Sequence, residues 1–137
     1  VVQSPEGGAL ALQLPLFKLG LGGRLGSGRP WVSWITIDDI AGIFAHAVST
    51  PGVEGVLNGT APAPVRGAEF ARVLARVLHR PAVLTVPKLG PSLLLGPEGA
   101  RETAFASQRV IPARTQESGY AFAHPDLQTG LRAVLGR

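Results

Sequence analysis

The sequence predicts an α/β fold. Strand-like runs alternate with helical ones, two of the helical runs carry a clean apolar face, and Gly and Pro mark the breaks between them. The order strand, helix, strand, helix, strand is the one that builds parallel sheets with right-handed crossovers.

The first helical run, Ala9 to Leu19, is short and mostly apolar, is interrupted or started by Pro15, and is stopped by Gly20, Gly22 and Gly23. After a turn at Gly26-Ser27-Gly28-Arg29-Pro30, the stretch Trp31 to Ile37 is rich in aromatic and β-branched residues and is the best strand candidate. Asp38 and Asp39 follow. Ile40, Ile43, Phe44, Ala47 and Val48 then recur at helical spacing, and an Asp at the helix start suits the free N–H groups of the first turn.

Gly55 to Thr60 reads as a short buried strand with a rigid Ala61-Pro62-Ala63-Pro64 exit, and Gly67 to His79 reads as a second helix closed by Pro81. Ala82 to Val86 is a further strand. Beyond Lys88 a short helix over Glu98 to Gln108 is expected, Tyr120-Ala121-Phe122 makes at most a minimal strand, and Pro125 in the first turn opens a terminal helix with Leu127, Leu131, Val134 and Leu135 on one face.

Composition narrows the class. A chain of 137 residues encloses a modest core as one domain or as the tail of a larger one. Its 45% hydrophobic and 16% charged residues argue against disorder, and no apolar run is long enough to span a bilayer. Val1 in place of Met, leading into a loop-like Gln3 to Gly8, is read as an interior cut. The absence of cysteine removes thiolate chemistry and fits a reducing, cytoplasmic compartment.

The formal charge is +4 and eleven of the thirteen basic residues are Arg, yet Arg24, Arg29, Arg66, Arg101, Arg109, Arg114 and Arg132 are scattered. Arg72, Arg76 and Arg80 share the solvated side of a helix whose buried side is Phe70, Val73, Leu74, Val77 and Leu78. Neither nucleic acid nor a membrane is an expected partner.

No catalytic set can be assembled. The serines lack an elbow motif, His46, His79 and His124 have no metal-ligand spacing, and Asp38 and Asp39 are better explained as helix caps than as acid–base groups. The glycines of Gly20 to Gly26 follow a helix and precede a strand, the reverse of a phosphate-cradling loop, and position 25 is Leu. The residues that stand out are Arg29, Trp31 and Trp34. Two indoles on opposite sides of one strand are read either with at least one of them as core, or as a cleft wall in which an aromatic face and an arginine fork hold a planar or anionic small-molecule substrate.

Several runs resemble one family. Gly7 to Leu10 and Leu14 to Gly23 resemble the segment after the sixth strand of epimerase-like extended short-chain dehydrogenases, and Gly26-Ser27-Gly28 with Trp34 to Gly42 resembles the "G-S-G … W-I-H-I-D-D-L" signature of that branch, with Thr36 where His is common. Gly55 to Pro62 resembles the "G-V-L/Y-N-x-x-A-P" segment of that branch. Leu94 to Glu98, Ser107 to Pro112 and Gly119 to Leu127 resemble the short C-terminal domain of unknown function that closes these proteins.

The resemblance implies the substrate-side part of a Rossmann-type NAD(P)-binding fold. Residues 1–86 would complete the Rossmann domain and residues 87–137 would form a small, mainly helical C-terminal domain. It implies NADP or NAD for the full-length protein and none for this chain alone, with a nucleotide sugar as a candidate substrate. Tyr120 has no Lys four residues later and takes no catalytic role. The alternative is a cofactor-free binding or interaction module. Strands cut from their sheet would leave unpaired edges through which the chain associates with itself.

Overall fold

A computed structural model of the chain describes residues 1–87, 98 and 107–137. In chain order the elements are β1 (Val2–Gln3), α1 (Gly8–Lys18), β2 (Gly23–Leu25), β3 (Trp31–Val32), β4 (Ile35–Thr36), α2 (Ile37–Ser49), β5 (Val65–Arg66), α3 (Gly67–Val77) and β6 (Leu84–Val86). Two further helices follow, α4 (Ala113–Glu117) and α5 (Leu127–Leu135).

The helices form where apolar periodicity demands them. Leu10, Leu14 and Phe17 line the buried side of α1, which runs through Pro15 rather than starting or stopping there. Phe70, Leu74 and Val77 do the same for α3, with Arg72 and Arg76 facing solvent as expected. Leu127 and Leu131 anchor α5, whose cap is Asp126, accepting from the Thr129 N–H at 3.0 Å; Pro125 therefore lies just outside the helix rather than in its first turn.

The strands depart further from expectation. The expected strand Trp31 to Ile37 breaks at Ser33 and Trp34 into β3, which pairs with β5, and β4, which pairs with β1, and it ends at Thr36 because Ile37 already belongs to α2. Gly55 to Thr60 is not a strand. Gly55 sits at φ +79° and Val56 is exposed, so neither the backbone nor a buried face supports a ladder. Two-residue strands β1 and β5 appear where loops were expected, and β2 where a turn was expected. Tyr120 to Phe122 is non-helical and unladdered, and the helix expected over Glu98 to Gln108 falls largely outside the described residues.

Among the described residues the strands make three pairs: β1 with β4 and β2 with β6 in parallel, and β3 with β5 antiparallel. One core joins the helices α1, α3 and α5. Leu10, Phe17, Trp34, Phe70, Leu74 and Leu131 belong to a single buried cluster, so the C-terminal helix α5 shares its core with α1 and α3. Gly28, at φ +66°, lets the turn before β3 lie against Ala68, where a Cβ would come within 2.6 Å of the alanine methyl. The first N–H groups of α3 then donate to the carbonyls of Gly28 and Pro30.

Candidate functional site: an indole between two arginines

β3 is flanked on both sides. Across the antiparallel pair, Trp31 stands opposite Arg66 of β5. On the other side residues 107–110 run alongside: Trp31 N–H donates to Ser107 Oγ (3.0 Å), Ser33 Oγ donates to the Gln108 carbonyl (2.6 Å), and Val110 N–H donates to Ser33 Oγ (2.9 Å). This arrangement brings Arg66 to 4.0 Å and Arg109 to 5.1 Å from the centre of the Trp31 ring.

Arg66 Nη1 also donates to the Arg29 carbonyl (2.7 Å), which fixes the turn that carries Arg29 at the edge of the cluster. Arg29, Arg66 and Arg109 are exposed and Trp31 is half-buried. The carboxylate contact within 4 Å among the described residues lies elsewhere, between His124 Nε2 and Asp38 (3.8 Å). Two guanidinium groups near one indole repel each other, and an arriving dianion relieves that repulsion while meeting the planar forks that suit phosphate oxygens.

Trp34 has a different role. Its side chain is 0% exposed, its indole N–H donates to the Ala63 carbonyl (2.8 Å), and it sits in the main core cluster. Its place in the cleft wall is corrected accordingly, since no surface of the ring is open to a ligand. The candidate wall is Trp31, and Arg29 joins it through its carbonyl, which accepts from Arg66. Arg66 and Arg109, scattered along the sequence, are the partners that sequence reasoning missed; the one available signal was the apolar–basic pair Val65-Arg66 ahead of a helix.

The strand-to-helix junction below is a structural hub. Thr36 is the N-cap of α2, accepting from the Asp39 N–H, so the cap is Thr36 rather than Asp38 or Asp39. Asp39 is fully buried and accepts from Thr36 Oγ1 (3.2 Å), Tyr120 Oη (2.8 Å), Ala123 N–H (2.8 Å) and His124 N–H (2.9 Å). Asp38 lies at the surface. Burial first, then the hydrogen bond to Asp39 and its charge, push the Tyr120 phenol up to about 12. Such a phenol is unsuited to act as a base near neutrality.

One serine–histidine contact arises that the sequence did not reveal. His46 Nε2 lies 3.0 Å from Ser118 Oγ, but the hydroxyl donates to the Thr115 carbonyl (2.6 Å) and His46 Nδ1 faces Thr50 Oγ1 (3.2 Å). With its proton so committed, Ser118 offers the ring an acceptor. The pair pins α4 to α2 and is not a nucleophile with its base.

The glycine turn does not have the geometry of a dinucleotide cradle. Gly20 N–H donates to the Phe17 carbonyl, Leu21 N–H to Leu16, Gly26 N–H to Val86 and Gly28 N–H to Leu25, so these backbone donors are turned inward. The turn leads from α1 into β2 and opens no helix. Among the described residues no group of His, Asp and Glu is placed to hold a metal, and no helix is long and apolar enough to cross a membrane.

Comparison with known proteins places the chain. Residues 86–134 match a family described as a domain of unknown function, DUF1731. The epimerase family protein SDR39U1 homolog, chloroplastic, of Arabidopsis thaliana is 43% identical over 98% of this chain and 38% of its own length. The crystal structure of human epimerase family protein SDR39U1 (isoform 2) with NADPH superposes with a TM-score of 0.92 at 39% identity, over 99% of this chain and 46% of that one. The chain matches the C-terminal part of the epimerase family proteins. A nucleoside-diphosphate sugar epimerase from Corynebacterium glutamicum is similar at a TM-score of 0.74 and 31% identity, over 99% of this chain and 25% of that one. The chain thus spans less than half the length of these relatives, and its α/β architecture is theirs.

Proposed function

We propose that this C-terminal epimerase-family region is the substrate-binding portion of an NAD(P)-dependent epimerase or oxidoreductase that acts on a nucleotide sugar. The observation that carries the reading is the pair of guanidinium groups on Trp31, which suits a diphosphate linking a nucleoside to a sugar. The likeness to a relative crystallised with NADPH supports NADP as cofactor of the complete enzyme. On this reading residues 1–86 belong to the Rossmann-type domain, and residues 87–137 form the small C-terminal domain that delivers Arg109 to the site.

The cofactor supplies hydride chemistry, and its phosphates are held outside this chain. The residues here bind and orient the substrate. Arg29, Arg66 and Arg109 take its negative charge, and the Trp31 ring fixes the plane against which they act. Calorimetric titration with UDP-glucose tests this: binding is expected for the 137-residue chain and a loss of about tenfold or more for Arg66→Ala, the scale of one charge-assisted contact. NADPH alone should give no heat. A UDP-glucose titration without heat, or one unchanged by Arg66→Ala, contradicts the reading.

A further inference from the structure

The two arginines near the Trp31 ring are held in different ways. Arg66 lies in β5, where ladder pairing with Trp31 sets its backbone and the Arg29 carbonyl holds its Nη1. Arg109 belongs to no strand or helix. A long side chain on an irregular segment gives up more freedom on meeting a ligand than one on a paired strand. Arg109 is a preorganised contact only where its own backbone is fixed by other means.

Ser33 fixes it. The residue is half-buried in the break between β3 and β4, and its hydroxyl donates to the Gln108 carbonyl (2.6 Å) and accepts from the Val110 N–H (2.9 Å). The first of these groups lies in the peptide plane before the Arg109 Cα and the second in the plane after it. Because each peptide unit is planar, holding both planes at one oxygen sets φ and ψ of Arg109, and with them the direction of its Cα–Cβ bond. The other contacts of this segment with β3, from the Trp31 N–H to Ser107 Oγ (3.0 Å) and from the Gln108 N–H to the Trp31 carbonyl (3.4 Å), reach its start alone.

We propose that Ser33 is a positioning residue of the Trp31 site: its hydroxyl aims Arg109 at the indole and so sets the affinity for the diphosphate of a nucleotide sugar. This rests on the function proposed above and gives Ser33 no contact with the ligand. The chemistry it requires is narrow. One atom must donate to one peptide plane and accept from the next, which a serine or threonine hydroxyl does and an alanine methyl does not. A serine that only stabilised the fold would act on binding whether or not Arg109 is present, whereas a positioning serine acts only while there is a guanidinium to aim.

Calorimetric titration of the 137-residue chain with UDP-glucose tests this as a double-mutant cycle. Ser33→Ala is expected to weaken binding about fivefold and Ser33→Thr to stay within about twofold of wild type, with Ser33→Cys, whose hydrogen bonds are weaker, in between. On an Arg109→Ala background Ser33→Ala should add nothing, while with Arg66→Ala the two losses multiply. Without ligand, Trp31 emission reads the Arg109 guanidinium 5.1 Å from the ring: Ser33→Ala should shift it in the same direction as Arg109→Ala, and the pair no further. A Ser33→Ala loss that persists in full without Arg109, or that Ser33→Thr shares, overturns the proposal and leaves the functional reading standing on Arg66. A chain that gives no heat with UDP-glucose yet shows the shared emission shift sinks the functional reading and leaves Ser33 as the residue that aims Arg109. Absence of both sinks both.

Discussion

Trp31 and Trp34 lie three residues apart in one extended stretch and have opposite fates. Trp34 is sealed in the core with its N–H satisfied by Ala63, while Trp31 stays half-open beneath two guanidinium groups. The residue type is the same and the flanks differ. Trp34 is covered by α1, α3 and α5, whereas Trp31 is bordered by β5 and by residues 107–110, both of which deliver arginine. An indole becomes a candidate binding surface here because its neighbours bring charge rather than methyl groups.

The largest expected effect falls on the core side. Trp34→Ala removes a fully buried ring and leaves the Ala63 carbonyl without its donor, and it should cost about 3–5 kcal/mol in urea unfolding. A cost below about 1 kcal/mol would break the contrast between the two indoles.

Next is Asp39. Asp39→Ala strands the Tyr120 hydroxyl and the N–H groups of Ala123 and His124, with an expected loss of about 2–3 kcal/mol by the same measurement. The sole tyrosine also reports on this hub by absorbance. Its pKa is raised from 10.0 to about 12 in the fold, so its contribution to stability is complete below pH 10 and is lost as pH rises through 12. Asp39→Asn should bring the phenol's titration midpoint down.

Thr36→Ala should cost about 1 kcal/mol, the scale of one lost cap. Asp38→Ala should cost less than about 0.5 kcal/mol, because Asp38 is exposed and its contact with His124 is a surface one. Adjacent acids at one helix start would thereby separate by thermal melts. Equal effects for Asp38→Ala and Asp39→Ala would show that the hub is misassigned.

The long-period features were legible in the sequence. α2, α3 and α5 follow from apolar residues repeating over two or more turns, and the family resemblance was carried by the turn and junction residues Gly26 to Gly28 and Trp34 to Asp39. Strands of two residues were not legible, since two positions contain no period, and Gly55 to Thr60 was misread because its apolar pair Val56-Leu57 has strand composition without a partner ladder. The site was half visible. Trp31 and Arg29 stand close together in the chain, but Arg66 and Arg109 reach the ring through strand register and a long return, which no local pattern encodes. Trp34 could not be separated from Trp31 by spacing alone, because burial is decided by helices far along the chain.

The most direct measurement is fluorescence titration with UDP-glucose on the wild-type chain and on Trp31→Phe. The wild-type emission should change saturably, because the ligand's diphosphate engages the guanidinium groups that lie over the half-buried ring. Trp31→Phe, left with buried Trp34 alone, should keep a cooperative melt and show a blue-shifted emission that the ligand does not alter. A ligand response that survives Trp31→Phe, or its absence from the wild-type chain, would contradict the assignment of the substrate site to Trp31.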